Sequence, residues 1–252
     1  MLKVRIIPIL LLKDGRMVKG KQFTDYRDTG DPVFASRIYN VQFVDELIFL
    51  DITATNEGRE TYFDIIEQVS KECFMPLTIG GGISNVSQIR KLLKAGADKV
   101  VINTAAVNTP QFIEEAAAVF GSQCIVVGID VRYEEGNYIV YTNSGKLKTD
   151  LVLADHIVNM ERLGAGEIFI NSIDRDGMMQ GYDHELIKLV LTYTTLPVIG
   201  CGGAGNFMHL VDAYKNTGIG ALAMASIYHF GDNNPVRARS YLKNQDINIK
   251  TV

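Results

Sequence analysis

The sequence predicts an α/β protein with a (β/α)8 barrel, and three observations lead to this fold class. Short apolar runs rich in β-branched residues alternate along the chain with amphipathic stretches that are typical of helices. The 252 residues provide room for eight such strand and helix units around one core. Segments of the first half also recur in the second half, which favours a closed barrel over a doubly wound open sheet.

Eight apolar runs predict strands, and each is followed by a turn signal. They cover residues 5–11, 46–52, 76–80, 99–103, 124–130, 167–172, 197–201 and 221–225. Apolar residues at three- and four-residue steps predict helices between these strands. The helical stretches are 62–73, 86–95, 111–120, 152–163, 184–191 and 207–215. Residue types that start helices stand at Pro32, Asn85, Pro110, Asp183 and Asn206.

Two segments of the first half align with segments of the second half. Residues 76–107 match 197–228, and residues 49–60 match 170–181. The offset is 121 residues and rises to 122 after one inserted residue. The sequence therefore predicts a single barrel domain over residues 1–252, built from duplicated half-barrels at about 1–122 and 123–252.

The composition is that of an ordinary globular protein, with 47% hydrophobic and 21% charged residues. The 25 basic and 29 acidic side chains give a net charge of −4, which offers no positive surface for nucleic acid or an anionic membrane. Pro8 and Lys13 interrupt the apolar N-terminal stretch too soon for a signal peptide. We therefore expect a cytoplasmic protein with no nucleic-acid partner and no membrane partner.

The cysteines and histidines show no pattern of a metal site. Cys73, Cys124 and Cys201 are widely spaced among apolar neighbours, which predicts reduced and buried thiols. The four histidines are scattered, without the spacing of metal ligands. The sequence therefore predicts neither a metal nor another cofactor.

Polar, small and glycine residues stand where the predicted strands end, which is where a (β/α)8 barrel has its active site. They are Asp51, Gly82, Asn103, Thr104, Asp130, Ser172, Asp176, Gly177, Gly203, Ala225 and Ser226. Backbone N–H groups of glycine turns can bind phosphate oxygens. The repeat aligns Gly82 with Gly203 and Thr104 with Ser226, which predicts two phosphate sites and a substrate with a phosphate at each end. One such turn alone would indicate only a tight βα connection.

Two side chains are candidates for catalysis. Asp130 ends a buried apolar run and is a candidate general acid or base, while a loop cap or an ion pair with Arg132 is the alternative. The half-barrel alignment places Leu11, which cannot titrate, opposite Asp130. Lys19 lies in a long polar loop that follows the first strand and contains two glycines, which predicts a mobile lid over an anionic substrate; a solvated basic loop is the alternative.

Four predicted strands begin with a charged residue, and the sign of the charge alternates along the chain. Arg5, Glu46, Lys99 and Glu167 could form a ring of ion pairs that closes the opposite end of the barrel. From the residues alone, charged strand starts that face solvent are the preferred interpretation.

The chain resembles the HisF family, the cyclase subunit of imidazole glycerol phosphate synthase, over essentially its whole length. The segments that carry the resemblance are FLDITATNEGRETYFD, LTIGGGISNV, KAGADKVVINTAAV, FGSQCIVVGID, LGAGEIFINSIDRDG, GYD and CGGAG with ASIYHFG. The resemblance implies a TIM barrel of duplicated halves that pairs with a class I glutaminase, similar to HisH. It also implies that ammonia from this partner passes along the barrel axis to a phosphorylated substrate.

The resemblance further implies roles for individual residues. Lys19 and Asp130 match catalytic positions, and the other strand-end residues named above match substrate-binding positions. Arg5, Glu46, Lys99 and Glu167 match an ammonia gate, which replaces the interpretation preferred above. Positions that face the glutaminase are matched by Asp98 and Gln123.

One position departs from the family pattern. The family reads PCLDVKDGR where this chain reads PILLLKDGR, so Leu11 replaces the first of two catalytic aspartates. Because acid–base assistance is worth about 10²–10⁴-fold, we expect slow cyclisation. The alternatives are a paralogue of surface-polysaccharide pathways that conducts ammonia to a separate synthetase without cyclisation, and an isomerase of the HisA type. The isomerase needs no gate and also expects an acid at position 11.

Overall fold

The computed structural model describes residues 3–250, whose strands form one barrel with two added hairpins. The strands are β1 (Arg5–Lys13), β2 (Arg16–Lys21), β3 (Thr24–Gly30), β4 (Leu47–Asp51), β5 (Leu77–Gly80), β6 (Lys99–Ile102), β7 (Ile125–Glu134), β8 (Asn137–Thr142), β9 (Leu147–Val152), β10 (Glu167–Ser172), β11 (Val198–Cys201) and β12 (Ala221–Met224). The helices are α1 (Pro32–Val41), α2 (Ala54–Glu57), α3 (Phe63–Glu72), α4 (Val86–Lys94), α5 (Thr104–Asn108), α6 (Gln111–Phe120), α7 (Leu153–Arg162), α8 (His184–Tyr193), α9 (Phe207–Thr217), α10 (Ser226–His229) and α11 (Pro235–Lys243).

Eight parallel strands close the barrel in the order β1, β4, β5, β6, β7, β10, β11 and β12, and β12 pairs with β1. This confirms the (β/α)8 barrel and all eight predicted strands, and it excludes the open sheet. Strands four places apart in this order lie on opposite sides of the axis. Therefore β1 lies opposite β7, β5 opposite β11, and β6 opposite β12. The division into duplicated half-barrels stays a prediction.

The alternation of side chains along the strands divides the core into two layers. The inner layer fills the barrel axis and includes Ile7, Ile9, Ile48, Val101, Val126, Phe169 and Ile199. Outward-facing residues such as Ile6 and Phe49 pack against the helices. Leu11 packs against the inner layer, because it alternates with Ile7 and Ile9 along β1.

Three of the predicted helices begin at a polar side chain that caps the first turn. Asn85, Asp183 and Asn206 each accept a hydrogen bond from a backbone N–H group of the first turn, which confirms these helix starts. Pro32 is the first residue of α1, and Pro110 directly precedes α6. All six predicted helices are present, and their ends differ by at most two residues from the prediction.

Two antiparallel hairpins leave opposite strands of the barrel. β2 and β3 follow β1, whereas β8 and β9 follow β7. The prediction of a long polar loop around Lys19 was therefore wrong, because this residue lies within β2. Charged residues and glycines mask the strand in the sequence, and pairing of Val18 with Leu11 of β1 stabilises it.

The three cysteines are free, as predicted, but each of them is half-buried. The prediction of buried thiols was therefore wrong, because these residues stand at the ends of elements. Cys73 follows α3, Cys124 precedes β7, and Cys201 ends β11 at the mouth of the barrel.

Candidate functional site

The carboxyl ends of the barrel strands surround a cavity of about 510 Å³, a volume suited to a small-molecule ligand. Eleven of the predicted site residues line it: Lys19, Asp51, Gly82, Asn103, Thr104, Asp130, Asp176, Gly177, Gly203, Ala225 and Ser226. Ser172 does not line the cavity. It follows Asn171, which does, and neighbouring residues of a strand point to opposite faces.

Asp130 lies at the cavity floor between two amides. The side-chain nitrogen of Asn103 is 2.9 Å from Oδ2, and that of Asn171 is 3.3 Å from Oδ1. Burial raises the pKa of Asp130 to about 7; the charge of Asp176 acts in the same direction and the two amides oppose it. Its hydrogen-bond partners within residues 3–250 are these amides and not Arg132. Asp130 can therefore take up or release a proton near neutral pH.

A buried ion pair joins the first hairpin to the loop that follows β10. The Nζ atom of Lys19 lies 2.7 Å from both carboxylate oxygens of Asp176. The backbone N–H of Gln22 donates to the carbonyl oxygen of Asp176 at 2.8 Å. A side chain at Gly177 would collide with the backbone of Gly20. The segment predicted as a lid therefore lies against the loop that follows β10, and its lysine lines the cavity.

The two glycine turns occupy equivalent places on opposite sides of the cavity. Gly82 and Gly203 adopt positive φ angles of 69° and 105°, which favour glycine. A side chain at Gly203 would also collide with the carbonyl oxygen of Gly181. The hydroxyl oxygen of Ser226 is buried and has no hydrogen-bond partner within the described residues. These features suit the binding of an anion at each turn.

The four charged strand starts meet in a ring at the amino end of the barrel. Arg5 pairs with Glu167 and, at 2.9 Å, with Glu46. The Nζ atom of Lys99 lies 3.0 Å from Glu46 and 2.9 Å from Glu167. Each buried carboxylate thus contacts two cations, and Thr78 donates a further hydrogen bond of 2.6 Å to Glu46. The ring closes the axis, and its role in ammonia passage stays a prediction.

Both sequence-predicted partner residues lie close to this ring. Asp98 directly precedes β6 and is exposed, and one of its carboxylate oxygens accepts a hydrogen bond of 2.8 Å from the N–H of Leu77. Gln123 is exposed just before β7. They therefore lie at the end of the barrel that carries the ring, and away from the cavity.

Sequence reasoning missed three groups of the cavity. Arg59 holds Asp51 by two hydrogen bonds, of 2.6 and 3.1 Å, between its guanidinium and the carboxylate. Ser144 stands in the turn between β8 and β9, and its hydroxyl donates to the carbonyl oxygen of Ile52 at 2.7 Å. Tyr26 enters the cavity from β3. The Asn-Ser-Gly turn at 143–145 was the available signal for the second hairpin.

Comparison with known proteins gives a consistent result. The model of the histidine biosynthesis protein family matches residues 5–234. An imidazole glycerol phosphate synthase subunit HisF from Hydrogenobaculum sp. is 48% identical over 251 residues, which cover 99% of this chain and 100% of the relative. HisF subunits from Bacillus subtilis and Staphylococcus carnosus are 45% and 44% identical over 252 residues; these cover 99% of this chain, with 100% and 99% of the relatives.

The raised pKa of Asp130 predicts a pH-dependent stability. Between about pH 4 and pH 7 the folded protein keeps a proton that the unfolded chain has lost, so stability falls as pH rises through this window. Asp130→Asn should therefore raise the free energy of unfolding at pH 8 by about 2 kcal/mol, with a much smaller gain at pH 4. The carboxylate borders an open cavity, which keeps this value below the full effect of burial.

Urea unfolding at both pH values measures this difference. Asp150→Asn removes a charge from the exposed strand β9 and is the control for net charge. A gain of the same size at pH 4 and pH 8 would contradict the assigned pKa of Asp130.

Proposed function

The chain belongs to the histidine biosynthesis protein family, and from this premise we propose that it acts as HisF, the cyclase subunit of imidazole glycerol phosphate synthase. In this reaction ammonia combines with a bisphosphorylated ribotide to give imidazole glycerol phosphate and aminoimidazole carboxamide ribotide. The observation that carries the proposal is an identity of 44–48% to HisF subunits over nearly the whole chain. The cavity geometry is consistent with it.

The proposed mechanism assigns each end of the substrate to one glycine turn. Gly82 and Thr104 bind one phosphate, and Gly203 and Ser226 bind the other, so the reacting atoms lie over the barrel axis. Asp130 moves the proton, because a group with a pKa near 7 can serve as acid and as base. The hairpin that carries Lys19 limits the entry of water.

Ammonia would reach the reacting atoms from below. The ring of Arg5, Glu46, Lys99 and Glu167 separates the solvent from an axis lined by apolar residues such as Ile7 and Ile48. A neutral ammonia molecule loses little on entering this apolar path, whereas an ammonium ion would pay a large desolvation cost. Arg5 and Lys99, whose side chains are 29% and 20% exposed, are the ring members that are least buried and would be able to move.

The partner that supplies ammonia would be a class I glutaminase at the ring end of the barrel. The relatives are named as subunits, which indicates a complex. Asp98 and Gln123 are exposed there, and the side chains of Phe43 and Phe74 are 56% and 86% exposed just before β4 and β5. A ring of charges beside exposed aromatic residues suits a protein interface.

A cytoplasmic location completes the proposal. No helix within residues 3–250 is long and apolar enough to cross a membrane.

The comparisons give no support to the isomerase or to the polysaccharide paralogue, and neither is proposed.

The two phosphate sites can be tested with inorganic anions. Crystals grown in sulfate should hold one anion near Gly82 and Thr104 and another near Gly203 and Ser226, because at each place a glycine turn and a hydroxyl side chain line the cavity together. Diffraction data at high sulfate concentration provide the measurement. Anions at other places, with neither turn occupied, would contradict the duplicated site.

Leu11 predicts a slow cyclase. With ammonium salt at alkaline pH, which bypasses the glutaminase, the protein should convert the ribotide at least ~100-fold more slowly than a cyclase with two aspartates. Leu11→Asp should recover part of this loss, because the phosphate sites already hold the substrate. Product formation followed by chromatography measures both rates. A native rate similar to that of ordinary family members would show that leucine is tolerated.

The glutaminase interface can be tested through Phe74. The chain should co-elute with a class I glutaminase from its own genome at micromolar concentration, and Phe74→Asp should weaken binding at least ~10-fold by removing a buried aromatic contact. Phe34→Asp is the matched control. Phe34 is 64% exposed in the first turn of α1, at the end of this helix that is away from Phe43 and the ring. Absence of any complex would refute the docking proposal, and unchanged affinity of Phe74→Asp would exclude this residue from the interface.

A further inference from the structure

The cavity has a titratable group on only one of two opposite strands. Asp130 ends the inward face of β7, whereas β1 offers Leu11 at the equivalent place. Both residues line the cavity. A reaction that moves protons on both sides of its substrate therefore needs a donor that reaches the β1 side from another element.

Tyr26 of the first hairpin lies on that side. The Nζ atom of Lys13 stands over its ring, 5.8 Å from the ring centroid. Lys13 and Leu11 are alternate residues of β1 and share a face of the strand. The Tyr26 ring therefore covers the end of β1. It lies next to Leu11, which supplies no polar group to the cavity.

The hairpin fixes the position of this tyrosine. Its ring packs against Gly20, where a Cβ atom would be 2.9 Å from Cδ1 of Tyr26. The neighbouring residue, Lys19, is held by its buried ion pair with Asp176. Any larger residue at position 20 would displace the ring, so the glycine and the ion pair together direct Tyr26 into the cavity.

The Tyr26 hydroxyl is available to a ligand in the cavity. Tyr26 lines the cavity, and within residues 3–250 its hydroxyl group has no hydrogen-bond partner. Burial raises the pKa of Tyr26, and the charges of Asp176 and Asp130 raise it further, so the hydroxyl stays protonated at neutral pH. It is thus a neutral donor that is free to contact a ligand.

We propose that the Tyr26 hydroxyl is a second catalytic group of this cavity and donates a proton from the β1 side, where Leu11 cannot. The inference rests on the proposed cyclase function and names a residue for it. Purely structural packing of the ring against Lys13 and Gly20 is the competing explanation.

The proton transfers balance between the two groups. As the nitrogen of ammonia bonds to an electrophilic carbon, Asp130 takes a proton from the nitrogen and Tyr26 gives its phenolic proton to the oxygen on that carbon. The C–N bond forms as the π bond of the C=O group breaks. One N–H bond and one phenol O–H bond also break, while one carboxyl O–H bond and one substrate O–H bond form. The proton on Asp130 then returns to the Tyr26 oxygen through water in the open cavity.

A double-mutant cycle tests the proposal with ammonium salt as the nitrogen source. Tyr26→Phe should lower kcat at least ~10-fold in the native chain and leave KM nearly unchanged, since the phosphate turns hold the substrate. In the Leu11→Asp background the same change should cost less than about threefold, because the new carboxylate supplies the missing group. Tyr133→Phe removes an exposed hydroxyl from β7 and is the matched control.

The outcomes separate the explanations. Equal losses in both backgrounds would show that Tyr26 only supports the fold, and native turnover in Tyr26→Phe would overturn the proposal while the cyclase function stands. A native protein without turnover at any ammonium concentration would refute the cyclase function, and the role of Tyr26 with it. Thermal unfolding of each variant verifies that the lost rate does not reflect lost structure.

Discussion

Closure of the barrel is the constraint on which the rest of the structure depends. Pairing of β12 with β1, in which Ile7 lies beside Ala223, joins the first and last strands of the barrel. Closure decides which strands lie opposite each other and brings eight strand ends around one cavity. Two glycine turns that are 121 residues apart in the sequence thereby become the two walls of a single site. An open sheet with the same strands would leave these turns on separate edges.

Buried ion pairs fix two further parts of the structure that barrel closure does not position. These are the strand starts at the ring and the first hairpin. Glu46 and Glu167 are almost fully buried, and an unpaired carboxylate there would be strongly destabilising. The two cations of the ring remove this cost, and they also link the starts of β1, β4, β6 and β10. The pair between Lys19 and Asp176 links the first hairpin to β10 in the same way. Such pairs add little net stability, but they penalise every arrangement in which a partner is missing.

The parts of this molecule that the sequence predicts are those with a local signal. Each barrel strand is an apolar run that ends at a glycine or a polar residue, so the strands, the glycine turns and Asp130 could be placed from the sequence. The hairpins were not predicted, because their stability depends on pairing with β1 and β7, although the Asn-Ser-Gly turn at 143–145 is a local signal for the second one. Tyr26 is one of 11 tyrosines, and only the register of β2 and β3 and the lack of a side chain at Gly20 turn it into the cavity. The sequence shows only that Arg59 is charged. The structure adds that its guanidinium donates hydrogen bonds to the carboxylate of Asp51, eight residues earlier.

The leucine on β1 also changes the electrostatics of the opposite strand. The pKa of Asp130 is set first by burial, then by its amide neighbours and by Asp176, and Leu11 contributes no charge to this balance. An aspartate at position 11 would add a second carboxylate to the same small cavity. Like charges that share a site raise the pKa of one member, so the two carboxylates would titrate as a pair. A neutral donor such as the Tyr26 hydroxyl avoids this coupling and leaves Asp130 near neutrality, which is where a single group that must both accept and return a proton works best.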